Sequence, residues 1–138
     1  MKQKSKTITV STHGAGLYEF TEALEDFVSG FSDGLVTCFM RHTSASLVVQ
    51  ENADPDVQKD LRDFFEGLAK SGPRFRHTAE GPDDMPSHIK SALTQTSISI
   101  PLHKGKLALG TWQGIYVFEH RDAAHRREVV LHITGDAD

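Results

Sequence analysis

The sequence predicts an α+β fold: a single β-rich domain of packed mixed or antiparallel sheets carrying two to three helices. Its 138 residues fit one domain over 1–138, because chains divide into several domains only at greater lengths. The 38% hydrophobic and 25% charged content is that of a globular protein rather than a disordered one. Most strand patterns fall in the last third of the chain and most helical periodicity falls before it, as in other α+β proteins.

The first part of the chain contains strand patterns and one amphipathic helix. Alternating apolar and hydroxyl residues predict a strand over 6–11. A helix is expected to begin near Gly16, since apolar residues then recur at three- and four-residue steps, and Gly30 is a suitable stop. Two further strands are predicted over 35–41 and 46–50.

The next helix has the best-marked start. Asp54 is a natural N-cap and Pro55 suits the first turn. The helix is expected to end before Ser71-Gly72-Pro73, and the polar stretch 74–86, which has no periodicity, is predicted to be a loop. One apolar stripe runs along this helix, formed by Val57, Leu61, Phe64, Phe65 and Leu68.

The remaining elements are one short helix and a set of strands. The helix is predicted after Pro86 and carries His88, Ile89 and Leu93. A turn at 104–106 and a charged loop at 120–127 separate the strands, and a short polar tail over 135–138 follows them. The strand patterns cover 97–102, 107–109, 115–119 and 128–134.

Charge and cysteine content exclude several classes of protein. The 15 basic and 19 acidic side chains give a net charge of −4 and a pI near 6.0, unlike a typical nucleic-acid-binding protein. No stretch reaches the roughly 20 apolar residues of a membrane span. The single cysteine, Cys38, excludes an internal disulfide and is interpreted as a small buried hydrophobe on a strand. We therefore expect a soluble cytoplasmic protein that binds neither nucleic acid nor membrane.

The polar segment 77–88 is the strongest candidate for a metal site. His77 and His88 stand at its ends, and neutral imidazole is a good ligand for zinc-like cations. His42, from another polar segment, is a candidate third ligand. Ordinary surface histidines, in a chain that has 8 histidines, are an equal alternative.

Three carboxylates inside that segment admit a different cation. Glu80, Asp83 and Asp84 could hold Mg²⁺, which prefers carboxylate and water ligands and often bridges to substrate phosphates. Helix capping is the simpler interpretation, because Asp84 lies just ahead of Pro86 and an acid near a helix N-terminus is favourable.

Two other polar groups could bind a substrate. His42 and Ser44 beside Glu51 suggest a serine hydrolase, but no Gly-x-Ser-x-Gly elbow is present, so Ser44 is interpreted as a turn hydroxyl. Trp112 lies in a glycine-flanked turn, where it could either cover the core or form the wall of a pocket for a flat ring. Gln113, next to it, can both donate and accept hydrogen bonds to such a ring.

Three runs of this sequence closely resemble the YjbQ family, whose members are usually labelled secondary thiamine-phosphate synthase enzymes. They are His-Thr-Ser-Ala-Ser-Leu over 42–47, Glu-Gly-Pro-Asp-Asp-Met-Pro-Ser-His-Ile-Lys over 80–90 and Leu-Gly-Thr-Trp-Gln-Gly-Ile-Tyr over 109–116. The resemblance implies an α+β domain that assembles as a homotrimer, with sites near subunit boundaries. It also implies a metal held by histidines, and those that match the motifs here are His42, His77 and His88.

The same resemblance implies a transferase. It would join a pyrimidine-methyl diphosphate to a thiazole phosphate and release pyrophosphate. Glu80, Asp83 or Asp84 with Mg²⁺ would stabilise the departing diphosphate, aided by Arg121 or Lys90. The residues expected to contact the remainder of the phosphorylated substrate are Ser44, Thr111, Trp112 and Gln113.

Two alternative functions stay open at this point. A histidine-bound metal could support hydrolysis of a small phosphorylated metabolite, with Glu80 or Glu51 as the general base. A trimeric metabolite-binding protein without catalysis is the other alternative. A zinc-like ion would favour the hydrolase, whereas a Mg²⁺ requirement would favour the transferase.

Overall fold

The computed structural model describes residues 1–70, 72 and 74–137. The elements in these residues follow one another as β1 (Lys2–His13), β2 (Gly16–Glu19), α1 (Thr21–Phe27), β3 (Phe31–Met40), β4 (Ala45–Glu51), α2 (Pro55–Leu68), α3 (Asp84–Leu93), β5 (Ser97–His103), β6 (Lys106–Leu107), β7 (Gln113–Glu119) and β8 (Ala124–Ala137). The α+β prediction is confirmed.

The strands form two antiparallel sheets. One has five strands in the order β1-β8-β3-β5-β6, and the other has three in the order β2-β7-β4. In the larger sheet β1 and β8 pair along their lengths, from Lys2 opposite Gly135 to His13 opposite Ala124. In the smaller sheet β7 is the central strand, and every residue of it after Gln113 is buried, which explains why its sequence is apolar almost throughout.

The larger sheet contributes one face of its strands to the core. On β3 the buried residues alternate as Val36, Cys38 and Met40, and β8 contributes another alternating row ending at Ile133. Cys38 is therefore a buried strand residue, as predicted, and burial raises the pKa of its thiol to about 12. A thiol this far from ionisation is chemically inert.

The predicted N-cap of α2 is confirmed, since the side chain of Asp54 accepts a hydrogen bond from the backbone N–H of Asp56 at 2.9 Å. The apolar stripe of this helix is only partly covered. Phe65 packs edge-on against Phe118, with ring centroids 5.0 Å apart, whereas Phe64 is 65% exposed. None of the described helices is long and apolar enough to cross a membrane.

The prediction of a helix that begins near Gly16 is wrong for its first turn. Residues 16–19 form β2, in which Leu17 lies opposite Phe118, and the helix begins only at Thr21. A three-residue spacing from Leu17 to Phe20 fits a helix, but pairing with the buried strand β7 outweighs that local pattern.

Other boundaries also differ from the prediction. The short helix begins at Asp84 rather than after Pro86, because a proline in the first turn lacks only an N–H that the helix does not use. Strand β1 extends beyond 6–11 in both directions, and β8 takes up part of the predicted loop 120–127 and of the predicted tail, because the two strands pair along their lengths. Ser71 and Pro73 at the predicted helix end, and Asp138 in the tail, lie outside the described residues.

Gly34 marks a close approach between β3 and β8. A Cβ atom at this position would lie 2.5 Å from the carbonyl oxygen of Thr134 and 2.8 Å from Cα of Gly135. We expect Gly34→Ala to lower the free energy of unfolding by about 1–3 kcal/mol, because backbone atoms must shift. Gly67→Ala in α2, where nothing lies within 4 Å, should raise it by up to about 1 kcal/mol. Urea denaturation of both variants checks this, and equal effects would contradict it.

Candidate metal centre

Helix α3 and the loop before it bring two histidines onto one carboxylate. Asp84 and His88 are one helical turn apart and therefore share a face of α3. Oδ2 of Asp84 lies 2.6 Å from Nε2 of His77 and 2.9 Å from Nε2 of His88. Elsewhere in the part of the chain that the structure describes, no three ligand atoms from histidine, cysteine or carboxylate side chains meet in this way.

The second nitrogen of His88 fixes how its imidazole is oriented. Nδ1 lies 2.9 Å from the carbonyl oxygen of Thr43, which can only accept, so Nδ1 is the donor. In the neutral ring Nε2 then carries a lone pair, and this lone pair points at a lone pair of Oδ2 of Asp84. That contact is favourable only when a proton or a cation lies between the two atoms. An imidazole that donates its other N–H to a backbone carbonyl is the usual arrangement of a metal-ligating histidine.

Arg121 holds the carboxylates in place. Its Nη1 donates to Oδ1 of Asp84 at 2.8 Å, its Nε donates to Oδ2 of Asp83 at 3.0 Å, and its Nη2 donates to the backbone oxygen of Glu80 at 2.9 Å. This leaves Oδ2 of Asp84 directed at the histidines. The guanidinium is thus engaged by three protein groups.

The electrostatics keep the carboxylates ionised. Burial raises the pKa of Asp84, but the hydrogen bond to His77 and the charges of His88 and Arg121 outweigh it and hold that pKa below its usual value. Asp83 behaves in the same way, since burial is outweighed by hydrogen bonds from Arg121 and from the backbone N–H of Asp122. An ionised carboxylate is the form that binds a cation.

One side of the cluster is open. The side chain of His77 is 44% exposed and that of His88 is 30% exposed, whereas that of Asp84 is 6% exposed. Two imidazole nitrogens and one carboxylate oxygen are the donor types of open zinc sites, which leave a position for water or substrate. The residues present therefore fit a zinc-like cation.

His42 is not one of the converging ligands. Its Nε2 accepts a hydrogen bond from the backbone N–H of Glu128 at 2.9 Å, and burial together with the charge of Arg127 lowers its pKa. It instead lines a cavity of about 510 Å³ beside His88, with Phe39 among the apolar walls.

The other predicted site residues are dispersed. Glu51 ends β4, roughly 20 Å along the strand from the end near Thr43, and accepts a hydrogen bond from the backbone N–H of Asp54. Ser44 is buried, and its Oγ accepts from Arg127 at 3.0 Å. Lys90 is also buried but lies on the opposite face of α3 from His88.

The predicted ring-binding residues lie at the far end of the smaller sheet. Gln113 pairs with Glu51, and the backbone oxygen of Trp112 accepts from Asn52 at 2.9 Å. Trp112 is 62% exposed, and Oε1 of Gln113 accepts from the backbone N–H of Gly110. Within one chain, Thr111, Trp112 and Gln113 therefore do not join the His77–Asp84–His88 cluster.

The structure contains a buried ion pair, between Glu119 and Arg127, that was not predicted. Glu119 accepts from Nε of Arg127 at 2.7 Å, from Nη2 at 2.5 Å and from Oγ1 of Thr12 at 2.5 Å. Both charged side chains are almost fully buried. The signal was present in the sequence, because Arg127 continues the inward alternation of Val129 and Leu131 on β8.

His120 should make the stability of the protein depend on pH. Burial and the charge of Lys90 lower its pKa to about 3, so the unfolded chain binds a proton that the folded chain does not as the pH falls below about 6.5. Stability is therefore lost with falling pH, by about 2 kcal/mol between pH 7 and pH 5. The pKa of Glu119 stays below its usual value despite its burial, so protonation of this carboxyl lowers the stability only at more acidic pH.

Urea denaturation at several pH values measures this loss. His120→Gln should remove this contribution to the slope of the free energy of unfolding against pH, whatever the substitution does to the stability at pH 7. His103→Gln, at an exposed histidine, should retain it. An unchanged slope in His120→Gln would contradict the assignment.

Known proteins are similar to this chain along nearly its whole length. Residues 6–136 match the family model described as UPF0047 protein YjbQ-like. UPF0047 protein sll1880 of Synechocystis is 50% identical over 98% of this chain and 94% of its own, and UPF0047 protein YjbQ of Escherichia coli O157:H7 is 38% identical over 95% and 97%. The crystal structure of TT1486 from Thermus thermophilus is similar with a TM-score of 0.83 at 36% identity, covering 91% of this chain and 97% of that one. That of APE1520 from Aeropyrum pernix has a TM-score of 0.84 at 28% identity, covering 99% and 100%.

Proposed function

The chain belongs to the YjbQ-like UPF0047 family, and from that premise we propose that it is a metal-dependent hydrolase of small phosphorylated molecules. The observation that carries the proposal is the convergence of Nε2 of His77, Nε2 of His88 and Oδ2 of Asp84 on one partly open point. A divalent cation of the zinc type, when bound, supplies Lewis acidity that polarises the scissile phosphate and lowers the pKa of water.

The cavity beside His88 supports binding of the organic part of the substrate. Its volume of about 510 Å³ lies in the range of small-molecule sites, and Phe39 and Met40 contribute apolar walls. Arg41 and His42 also line it. A cationic side chain at such a wall favours a substrate that carries negative charge.

Glu80 is the better placed of the two candidate bases. It lies on the loop between His77 and Asp84, and its charge contributes to the raised pKa of Arg121, after the larger effect of Asp83. Glu51, in contrast, ends β4 far from this loop. In the proposed reaction Glu80 accepts a proton from the attacking water, the water oxygen bonds to phosphorus, and the ester oxygen departs with that proton.

Release of inorganic phosphate tests this function. Zinc-loaded protein is incubated with p-nitrophenyl phosphate and a panel of small phosphomonoesters, with and without a chelator. We expect release that the chelator abolishes, and a loss of about 10²-fold or more in Glu80→Gln with the ion retained. Glu25→Gln, on the exposed face of α1, serves as the matched control. Bound ion without any turnover would overturn the hydrolase in favour of a binding protein.

Thiamine-phosphate synthase activity is the second assay. The ring-binding and carboxylate residues assigned to that reaction lie at opposite ends of the smaller sheet, so it would need contributions from two subunits. Formation of thiamine phosphate with release of pyrophosphate, dependent on both Mg²⁺ and Trp112, would replace the hydrolase proposal.

A homotrimer in the cytoplasm remains our expectation. In support, Leu35 of β3 is about half exposed on the outer face of the five-stranded sheet, and a neighbouring subunit could cover it. The reduced thiol of Cys38 is compatible with a cytoplasmic location. Analytical ultracentrifugation measures the assembly directly.

A further inference from the structure

A second cavity lies on the other side of α3 from the metal centre. It occupies about 570 Å³ between α2, α3 and the end of β7. Asp83, Pro86 and Lys90 line it, at the i, i+3 and i+7 spacing of one helical face. Lys90 is two residues from His88 and thus about 200° away from it around the helix axis. The cavity and the metal centre are therefore separate.

Lys90 contributes a positive charge to the lining of this cavity. The residue is only 8% exposed, yet among residues 1–70, 72 and 74–137 no oxygen accepts a hydrogen bond from its Nζ and no carboxylate lies within 4.0 Å of it. No fully sealed side-chain nitrogen or oxygen of these residues lacks a partner, so Nζ opens into the cavity. An ammonium group that faces this cavity favours an anionic ligand, whose oxygens can replace the water molecules that the ligand displaces.

The two least exposed acids of the cavity do not neutralise Lys90. Glu119 and Asp83 also line the cavity, but Glu119 is held by Arg127 and Asp83 by Arg121. The acids that α2 contributes are exposed to solvent, as is Asp122. The ammonium group is thus left as the buried charge that lacks a counter-ion.

The walls supply an apolar surface for the remainder of a ligand. Phe65 and Phe118 contact each other edge-on along one side, and Phe118 lies against the ring of His120 at 4.5 Å between centroids. His120 stays neutral there. A volume of about 570 Å³ suits a small organic molecule rather than a macromolecule.

We propose that this cavity binds the phosphate group of a small organic molecule through Nζ of Lys90, with the organic part against Phe65 and Phe118. This site is additional to the metal centre, and it does not depend on the proposed hydrolase. Binding is therefore expected in metal-free protein.

Isothermal titration calorimetry of chelator-treated protein at constant ionic strength tests the site. The probes are phenyl phosphate, inorganic phosphate and benzoate. We expect saturable binding of phenyl phosphate, tighter than that of the other two, and a loss of roughly tenfold or more in Lys90→Met. Lys59→Met, at an exposed lysine of α2 outside the cavity, should bind as the wild type does. Equal affinity in Lys90→Met, or tighter binding of benzoate, would overturn the proposal.

Amide shifts in NMR spectra locate the ligand without any substitution. Phenyl phosphate should move the signals of Lys90, Phe118 and His120 in a saturable way and leave that of His77 in place. Shifts confined to the His77 side of α3 would overturn the assignment. Lys90→Arg keeps the charge and should retain binding, so it serves as the test variant if Lys90→Met fails to fold.

Discussion

Asp84→Asn is expected to remove the bound cation and hydrolytic turnover together while leaving the fold intact. The substitution takes the negative charge from the oxygen on which His77 and His88 converge, and an amide is a much weaker ligand. We expect the affinity for Zn²⁺ to fall by at least about 100-fold. Competition with a chromophoric chelator measures that affinity, and circular dichroism monitors the fold.

Asp83→Asn is the matched control. Asp83 is the neighbouring residue and binds the same arginine, but it makes no contact with either histidine. We expect it to retain one cation per chain. If both variants kept the affinity of the wild type, Asp84 would not be a ligand.

Arg127→Met is expected to be the most destabilising substitution of those considered. It leaves Glu119 charged, buried and without its two strongest donors, Nε and Nη2 of Arg127. Breaking a buried pair in this way costs about 3–5 kcal/mol, whereas a well-packed apolar replacement of both partners is often neutral. We therefore expect Arg127→Met with Glu119→Leu to recover part of the loss. Urea denaturation measures each free energy of unfolding.

The exposed pair of Arg41 and Glu128 provides the comparison. Nη1 of Arg41 lies 3.7 Å from Oε1 of Glu128, and both side chains are about half exposed. Arg41→Met should change the free energy of unfolding by less than about 1 kcal/mol. A loss in Arg127→Met as small as that in Arg41→Met would mean that the buried pair does not hold the strands together.

Local patterns predicted the elements that form from their own residues. The second helix follows from the N-cap at Asp54 and the stripe from Val57 to Leu68, and both signals act within one helix. Residues 16–19 could not be predicted as a strand, because their partner in β7 lies about 100 residues away in sequence. The full length of β8 depends in the same way on its pairing with β1.

The candidate site was predictable to a similar extent. His77 and His88 were predicted to meet because they lie within one short segment, but the third ligand atom comes from Asp84, which the sequence assigned to Mg²⁺, and not from His42. His42 and Trp112 lie on other segments, and their distances from this cluster depend on the arrangement of the two sheets. The orientation of Lys90 away from His88 follows from helical geometry, once 84–93 is known to be a helix.

The metal content of the protein tests the central claim most directly. Untagged protein purified without chelators is analysed for its elements, alongside His77→Ala and His88→Ala. The proposed centre predicts close to one zinc-like ion per chain in the wild type and loss of the ion in both variants. Wild-type protein that binds no such ion even after incubation with Zn²⁺, or variants that keep it, would contradict a metal centre at His77, Asp84 and His88.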